Sequence, residues 1–299
     1  MATAEAPATT ANAPTTNTGR LARAVSRGPL HVLIIAVCLA WMIPTLGLFV
    51  SSFREGSDIA TSGWWTALSS PSTLNLENYR QVLFTQGMAR SFLNSLIIAV
   101  PATLLTILVA ALAAYAFSWI EFRGREALFL LVVALLVVPL QLTLIPVLRM
   151  YATVGLTGTF TGMWIAHVAY GLPFAVFLLR NFFIALPKDL LESAFLEGAS
   201  HFTAFWRIVV PLSVPALAAL GIFQFLWVWN DLLIALVYLG GSATVAPMTV
   251  TISNLVNSFG GAWQLLTAAA FISVTLPLLI FFALQRYFVE GILAGAVKG

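Results

Sequence analysis

Residues 92–119 read Phe-Leu-Asn-Ser-Leu-Ile-Ile-Ala-Val-Pro-Ala-Thr-Leu-Leu-Thr-Ile-Leu-Val-Ala-Ala-Leu-Ala-Ala-Tyr-Ala-Phe-Ser-Trp, without a charged side chain. This run is long enough to cross the hydrocarbon core of a bilayer, which takes roughly 17–25 apolar residues in a helix. It lacks the strict alternation of polar and apolar positions that marks a barrel strand. Because a membrane span must pair its own backbone groups, residues 92–119 are predicted to form a transmembrane helix.

Five further apolar runs have the length of a membrane span. They lie at about 30–52, 127–148, 160–180, 208–238 and 265–287. The run 208–238 is long enough to bend or to extend beyond the bilayer. The composition agrees, since 60 % of residues are hydrophobic, 8 % are charged and the mean hydropathy is +0.97. A soluble domain carries roughly 25 % charged residues, so we predict an all-α integral membrane protein with six transmembrane helices.

The chain divides into a tail and one transmembrane domain. Residues 1–28 are rich in Ala, Thr, Asn and Pro, which predicts a disordered tail. Residues 29–299 are predicted to form the transmembrane domain. Cytoplasmic loops carry an excess of Lys and Arg, so these residues orient the spans. If both termini are cytoplasmic, most basic residues lie on the cytoplasmic side: Arg20, Arg23, Arg27, Arg123, Arg125, Arg180, Lys188, Arg207, Arg286 and Lys298. The basic residues on the outer side are then Arg54, Arg80, Arg90 and Arg149. The distribution favours cytoplasmic N- and C-termini.

The charged residues and the histidines of the sequence exclude several classes of function. The net charge is +3, but the basic residues are too scattered to form a groove for nucleic acid. A P-loop needs a Lys between Gly and Ser or Thr, whereas Lys188 lies in Leu-Pro-Lys-Asp and Lys298 in Ala-Val-Lys-Gly. The three histidines lie too far apart in sequence for metal-ligand spacing. We therefore expect no ATP hydrolysis, cofactor or metal in this chain.

The connection between the fourth and fifth spans, about 181–211, is unusually long. Pro187 suits the start of a short helix, and Gly198 suits its end. A second apolar set, which includes Phe202, follows the glycine. An alternative is an amphipathic helix lying on lipid, but the polar residues are mostly acidic and would disfavour anionic lipid. The segment is therefore predicted to dock on another protein.

This segment resembles the EAA loop of ABC importer permeases. Glu192-Ser-Ala-Phe-Leu-Glu-Gly198-Ala, followed by Ile208-Val-Val-Pro211, is similar to the family pattern Glu-Ala-Ala, two residues, Asp-Gly-Ala, then Ile-x-x-Pro. Ser193 replaces the usual Ala and Glu197 the usual Asp. From about residue 30 the chain is similar to the carbohydrate-uptake, MalG-like branch. The segments that carry this likeness are Asn94-Ser-Leu, Ala114-Tyr-Ala-Phe, Phe122-Arg-Gly-Arg, Trp229-Asn-Asp and the ending 285–299.

The resemblance implies that the loop is a coupling helix that docks in a cleft of a separate ABC ATPase dimer, which holds ATP and magnesium. Glu192 is expected to pair with a basic residue there, Gly198 to allow the turn, and Phe195 or Leu196 to fill a pocket. The C-terminal tail, 288–299, is expected to reach the same interface through Gly291, Gly295 and Lys298. The full set expected in the coupling loop is Glu192, Ala194, Phe195, Leu196, Glu197, Gly198, Ala199 and Pro211.

The resemblance also implies a binding-protein-dependent sugar importer in the bacterial inner membrane. This chain would supply half of the pathway, with a second permease subunit in a heterodimer and an extracytoplasmic sugar-binding protein. The substrate class is a mono- or oligosaccharide, and the stretch from Ser51 to Trp65 is similar to α-glucoside permeases. A polyol or glycerol phosphate is an alternative.

Polar and aromatic residues within the predicted spans are candidates to line the sugar path, because buried polar groups in a membrane need partners. The principal candidates are Gln141, Tyr170, Trp227, Asn230 and Asp231. Thr143, His167 and Gln224 share this property, and Trp164 and Trp229 could also stack on a sugar face. Interhelical hydrogen bonds and interfacial anchoring are the alternative roles for each of them.

Two rival functions make different predictions. An intramembrane serine protease could use Ser200 and His201, but adjacent helical positions do not face each other and a Gly-x-Ser-x-Gly elbow is missing from the sequence. A secondary transporter or channel usually carries several ionisable residues inside its spans, whereas here only His167 and Asp231 lie in or near one.

Overall fold

The computed structural model describes the backbone of residues 17–259 and 262–296, and the side chains of residues 28–256 and 262–285. Every regular element in those ranges is helical. In chain order the α-helices are α1 (Asn17–Ser51), α2 (Gly56–Thr61), α3 (Thr66–Ser69), α4 (Glu77–Arg80), α5 (Met88–Trp119), α6 (Arg125–Ala134), α7 (Leu140–Val154), α8 (Phe160–Ile184), α9 (Lys188–Leu196), α10 (His201–Ala204), α11 (Val210–Leu212), α12 (Val214–Trp229), α13 (Leu233–Leu239), α14 (Met248–Phe259) and α15 (Trp263–Ala296). Short 3-10 turns at Pro71–Thr73 and Leu135–Val137, and π-helical turns at Gln81–Thr85 and Phe205–Val209, join some of them.

The prediction of an all-α membrane protein is confirmed, and the described residues contain four to six candidate spans. Four continuous helical stretches are long and apolar enough to cross a membrane: Gly28–Ser51, α5, α8 and Trp263–Gln285. Two further helix pairs reach that length and apolarity only when each pair is taken together, and both pairs are sharply bent. Arg125–Val137 and α7 meet at 101°, and His201–Leu212 and α12 meet at 76°. The predicted runs 127–148 and 208–238 are therefore not single straight helices.

Proline explains both breaks. Pro139 directly precedes α7 and has a ψ of 127°. Because proline has no backbone N–H, it cannot continue the hydrogen bonding of the preceding turn. At the second break Ser213 lies between Pro211 and Pro215, and α12 begins immediately after it. The run that was predicted to reach residue 238 ends its long helix at Trp229, and α13 follows as a separate short helix.

The expected boundary of the N-terminal tail at residue 28 is not a structural boundary. Helix α1 begins at Asn17 and runs without interruption to Ser51. The residues just before the apolar run, such as Leu21 and Ala22, are good helix formers, and a helix already nucleated by a long apolar span propagates into them at little cost. Residues 1–16 lie outside the described residues.

The spans pack through small side chains and interhelical hydrogen bonds. Helix α5 is central and buries Ala99, Ala102, Ala110 and Ala114 completely, which lets neighbouring backbones approach closely. Trp164 of α8 donates its indole N–H to the carbonyl of Ile97 in α5 at 2.7 Å.

Two clusters of buried side chains mark the two ends of the bundle. The cluster at one end contains Leu179, Leu191, Phe205 and Leu220 and includes the loop between α8 and α12, so we call it the loop end. The cluster at the other end contains side chains of α12 and α13 and packs against Tyr79 of α4, so we call it the α4 end.

Candidate functional site

The predicted coupling loop is an ordered helix–turn–helix that is fixed to the loop end of the bundle. Helix α9 begins after Pro187, with Asp189 in its first turn, where a carboxylate complements the helix dipole. Leu191 is 2 % exposed and packs in the same cluster as Phe183 and Leu179 of α8. One side of the predicted apolar face is therefore used to hold α9 against the spans.

A left-handed glycine ends this helix. Gly198 has a φ of +86°, a region that side chains with a Cβ rarely adopt. Its N–H donates to the carbonyl of Phe195 at 3.0 Å, and the N–H of Ala199 donates to the carbonyl of Ala194 at 2.9 Å. Ser200 then caps the next helix by accepting from the N–H of Thr203. The break predicted at Gly198 is confirmed.

Phe195 and Leu196 are placed differently by this turn. Leu196 is 90 % exposed at the tip of α9. Phe195 is half-buried, and its ring lies edge-on to His201 with 4.9 Å between centroids. Glu192 and Glu197 are exposed beside the tip, and Phe202 of α10 is 72 % exposed. Leu196 is therefore free to enter a partner's pocket, whereas Phe195 already has a partner within the chain.

An aromatic chain connects α9 to α5. The Nδ1 atom of His201 and the hydroxyl of Tyr115 in α5 are hydrogen-bonded at 3.1 Å. The Tyr115 ring also contacts Phe205, with 5.3 Å between centroids. We call Phe195, His201, Tyr115 and Phe205 the aromatic relay. These packed rings join α9 to α5, and nothing in the local sequence around His201 indicates this contact.

Pro211, the last residue expected in the coupling loop, lies in α11, two residues before the break at Ser213. The proline is exposed and Ser213 is fully buried. Backbone hydrogen bonds reach Ser213 from both sides, because its N–H donates to Val209 at 3.0 Å and its carbonyl accepts from the N–H of Leu217 at 2.9 Å. Ser213 is therefore the residue at which the loop meets α12.

The five principal path candidates are not all brought together. Tyr170 and Trp227 line one cavity between α8 and α12. Asn230 is exposed, and its side-chain amide donates to the carbonyl of Leu226 one turn earlier. The Asp231 carboxylate accepts from the N–H groups of Ile234 and Ala235 and so caps α13. Gln141 is exposed on α7, and the structure gives it no part in the cavity of Tyr170 and Trp227.

The other tryptophans named from the sequence have structural partners. Trp164 donates to α5, as described above, and Trp229 donates to the carbonyl of Ser273 in α15 at 3.0 Å. His167 is fully buried, and its Nε2 lies 3.8 Å from a carboxylate oxygen of Asp231. Thr143 is hydrogen-bonded to the Tyr170 hydroxyl at 2.9 Å, and Tyr170 to the Tyr238 hydroxyl at 2.8 Å.

The C-terminal residues with an expected role lie close to the end of the described residues or beyond it. Gly291 and Gly295 belong to the last turns of α15, where the structure describes the backbone alone. Lys298 lies outside the described residues. The expected contact of the tail 288–299 with a partner stays a prediction.

Comparison with known proteins agrees with this architecture. The chain is 58 % identical over 287 residues to the osmoprotective compounds uptake permease protein GgtD of Synechocystis sp., covering 95 % of this chain and 96 % of that protein. It is 39 % identical to the alpha-glucoside transport system permease protein AglG of Rhizobium meliloti, covering 91 % of this chain and 98 % of that protein. The trehalose transport system permease protein SugB of Mycobacterium tuberculosis is 30 % identical, with 93 % of this chain covered and 98 % of that protein.

The fold is also found in a solved structure. A chain of a bacterial ABC transporter that imports the acidic polysaccharide alginate has a TM-score of 0.75, with 20 % identity, 91 % of this chain covered and 98 % of that chain. A family model described as the inner membrane component of binding-protein-dependent transport systems matches residues 106–293. That range contains the loop, the aromatic relay and both broken spans. The resemblance found in the sequence is thus confirmed, and the chain belongs to the family of inner membrane components of binding-protein-dependent transport systems.

Proposed function

We propose that this permease subunit imports a small neutral α-glucoside, with a second permease subunit supplying the other half of the pathway. The relatives are named for α-glucosides, trehalose and osmoprotective compounds. Trehalose consists of two α-linked glucose units, so α-linked glucose is common to two of those names. An extracytoplasmic binding protein delivers the sugar, as in the alginate transporter solved with its oligosaccharide-bound periplasmic protein.

ATP and magnesium are held by a separate ABC ATPase dimer on the cytoplasmic side. The observation that carries this part of the proposal is the exposure of Leu196, because a 90 % exposed leucine between two acidic side chains fits a partner's pocket rather than lipid. The excess of basic residues on the same side as the loop supports its cytoplasmic location in the bacterial inner membrane. Gly291, Gly295 and Lys298 of the C-terminal tail are proposed to touch the same partner.

The transport cycle follows from the loop geometry. Closure of the ATPase dimer on ATP moves α9, which pulls α5 through the aromatic relay and α12 through the bent junction at Ser213. The bundle then changes from inward-facing to outward-facing, a two-state equilibrium biased by ligand binding. This chain itself performs no chemistry in the cycle.

The first test is co-purification in mild detergent of the tagged chain from the cells that express it. Leu196→Asp is expected to lower the recovered ATPase subunit at least about tenfold, because an anchor residue at the centre of an interface typically contributes 2 kcal/mol or more. Leu76→Asp is the matched control, since Leu76 is 68 % exposed on the α4 end. Unchanged recovery of the ATPase with Leu196→Asp would contradict docking at the α9 tip.

A second test concerns the aromatic relay. Tyr115→Phe keeps the ring contact with Phe205 and removes only the hydrogen bond to His201. We expect about two- to tenfold fewer sugar molecules imported per ATP hydrolysed, the equivalent of one hydrogen bond of 0.5–1.5 kcal/mol. Tyr79→Phe removes a comparable hydroxyl contact, with Ser52 at 2.7 Å, at the α4 end and should leave that ratio unchanged. An unchanged ratio in Tyr115→Phe would mean that α9 moves the spans by another route.

A further inference from the structure

A cavity of about 280 Å³ opens between α8 and α12. It is lined by Tyr170, Gly171 and Phe174 of α8 and by Leu220, Phe223, Gln224 and Trp227 of α12. Ligand pockets in proteins run from about 300 to 1,000 Å³. The cavity is slightly smaller than that range, so it suits a single sugar ring rather than a long oligosaccharide.

The side-chain amide of Gln224, which lines this cavity, makes only long hydrogen bonds within the chain. Gln224 is 4 % exposed, and its amide nitrogen donates to Thr106 at 3.4 Å and to the carbonyl of His167 at 3.5 Å. Good hydrogen bonds of this type measure 2.7–3.2 Å, and a primary amide offers two donors and two acceptor lone pairs. A buried amide inside a membrane span that makes only long hydrogen bonds costs free energy unless a further group hydrogen-bonds to it.

Gly171 leaves space beside the Gln224 amide for such a group. A Cβ built on Gly171 would lie 2.6 Å from the Gln224 amide nitrogen, so only glycine at this position in α8 allows the amide its present place. Trp227 is 40 % exposed and follows Gln224 by three residues, which puts both side chains on one face of α12. An aromatic face beside a buried amide is suited to a ring with apolar C–H faces and peripheral hydroxyls.

We propose that this cavity is a sugar subsite, in which Trp227 stacks on one pyranose ring and Gln224 hydrogen-bonds its hydroxyls. The proposal rests on the proposed function, and it adds that this subunit touches the sugar itself rather than leaving all contacts to the second permease. Lipid is a poorer occupant, since an acyl chain would leave the amide incomplete. A side chain of the second permease is the competing occupant.

The experiment uses the whole complex in proteoliposomes, with the binding protein and radiolabelled trehalose as the probe. We expect Trp227→Ala to lower ATP-dependent trehalose uptake about three- to tenfold, the usual range for an aromatic contact. Trp227→Phe, which keeps an aromatic face, should recover most of it. Trp41→Ala is the control, because Trp41 is 79 % exposed on α1, far from the cavity in sequence and not part of its lining.

Direct occupancy is tested with a thiol at the cavity. Cys38 is the only cysteine of the chain, so Cys38→Ala with Phe174→Cys gives one reactive site in the cavity lining and keeps Trp227. Trehalose should slow maleimide labelling at residue 174 in the outward-facing complex, and Gln224→Leu should abolish that protection. Labelling that is blocked in the assembled complex without sugar and unaffected by sugar would assign the cavity to the second permease and overturn the subsite.

Different results would contradict the proposed importer function and the proposed sugar subsite. If the unmodified complex does not import trehalose, sucrose or maltose on ATP, the proposed function is wrong. If it imports trehalose while Trp227→Ala and Gln224→Leu transport at the rate of Trp41→Ala, the importer stands and the subsite is wrong.

Discussion

Gly198→Pro is expected to abolish sugar uptake while the chain still inserts and folds. Gly198 has a φ of +86°, whereas proline is fixed near −65°. Proline would also remove the N–H that donates to Phe195 at 3.0 Å. The end of α9 would then change direction, and Leu196 and Glu197 would no longer face the ATPase. We expect uptake at least about a hundredfold below wild type, because misplacement of about 1 Å in a rigid constellation already costs that much.

The milder Gly198→Ala separates the turn from general stability. A Cβ at Gly198 meets no atom within 4 Å, so the alanine adds only backbone strain, about 1–2 kcal/mol in the left-handed region. Gly155 is the matched control, with a φ of +71° and equally open space, in the turn between α7 and α8. The ratio of uptake to ATP hydrolysis, measured in proteoliposomes, should fall for Gly198→Ala and stay normal for Gly155→Ala. Equal losses in both variants would assign the effect to folding.

Trp229→Ala is expected to destabilise the isolated subunit by about 3–5 kcal/mol, the range for a fully buried large aromatic residue. Trp229 is 2 % exposed, its ring stacks on Phe225 at 5.3 Å and lies edge-on to Phe92 at 5.6 Å. Its indole N–H donates to Ser273 of α15. Truncation leaves a cavity where α12, α5 and α15 meet and removes the donor of one interhelical hydrogen bond.

The neighbouring tryptophan provides the control for that measurement. Trp227 is 40 % exposed and lies edge-on to His167 at 5.8 Å between centroids, so Trp227→Ala should destabilise the subunit clearly less than Trp229→Ala. Trp229→Phe, which keeps a ring and loses the donor, should cost about 1 kcal/mol. Unfolding in mixed micelles, followed by far-UV circular dichroism, gives the free energies. A Trp229→Ala variant as stable as Trp227→Ala would show that the junction of these three helices relaxes around the cavity.

The fold class could be predicted from the sequence because membrane spans are fixed by length and apolarity. The runs that became α5, α8 and the apolar part of α15 were located to within a few residues, since long uncharged runs leave no alternative to a helix. The sequence does not locate the breaks after Val137 and at Ser213, although Pro139 and Pro211 lie beside them. Proline in a span permits a bend, and neighbouring helices decide whether it occurs.

The candidate site was predictable where it depends on local chain geometry and not where it depends on packing. Gly198 could be assigned as the end of α9, because a glycine after a short amphipathic helix is a common C-terminal signal. The pairing of His201 with Tyr115 joins residues 86 positions apart, which no local pattern encodes. The different surroundings of Trp227 and Trp229 follow from which face of α12 meets α15, and two tryptophans two residues apart look alike in sequence.

The bent junction at Ser213 sets the loop at a large angle to α12. The arm His201–Leu212 contains 12 residues and is about 18 Å long at 1.5 Å per residue. It meets α12 at 76°, so a force at the tip of the arm acts mainly across the axis of α12 rather than along it. A sideways displacement of about 3 Å at the tip of such an arm corresponds to a rotation of about 10° about the junction. The arm is therefore long enough for a small displacement of the loop to become a visible change of angle at Ser213.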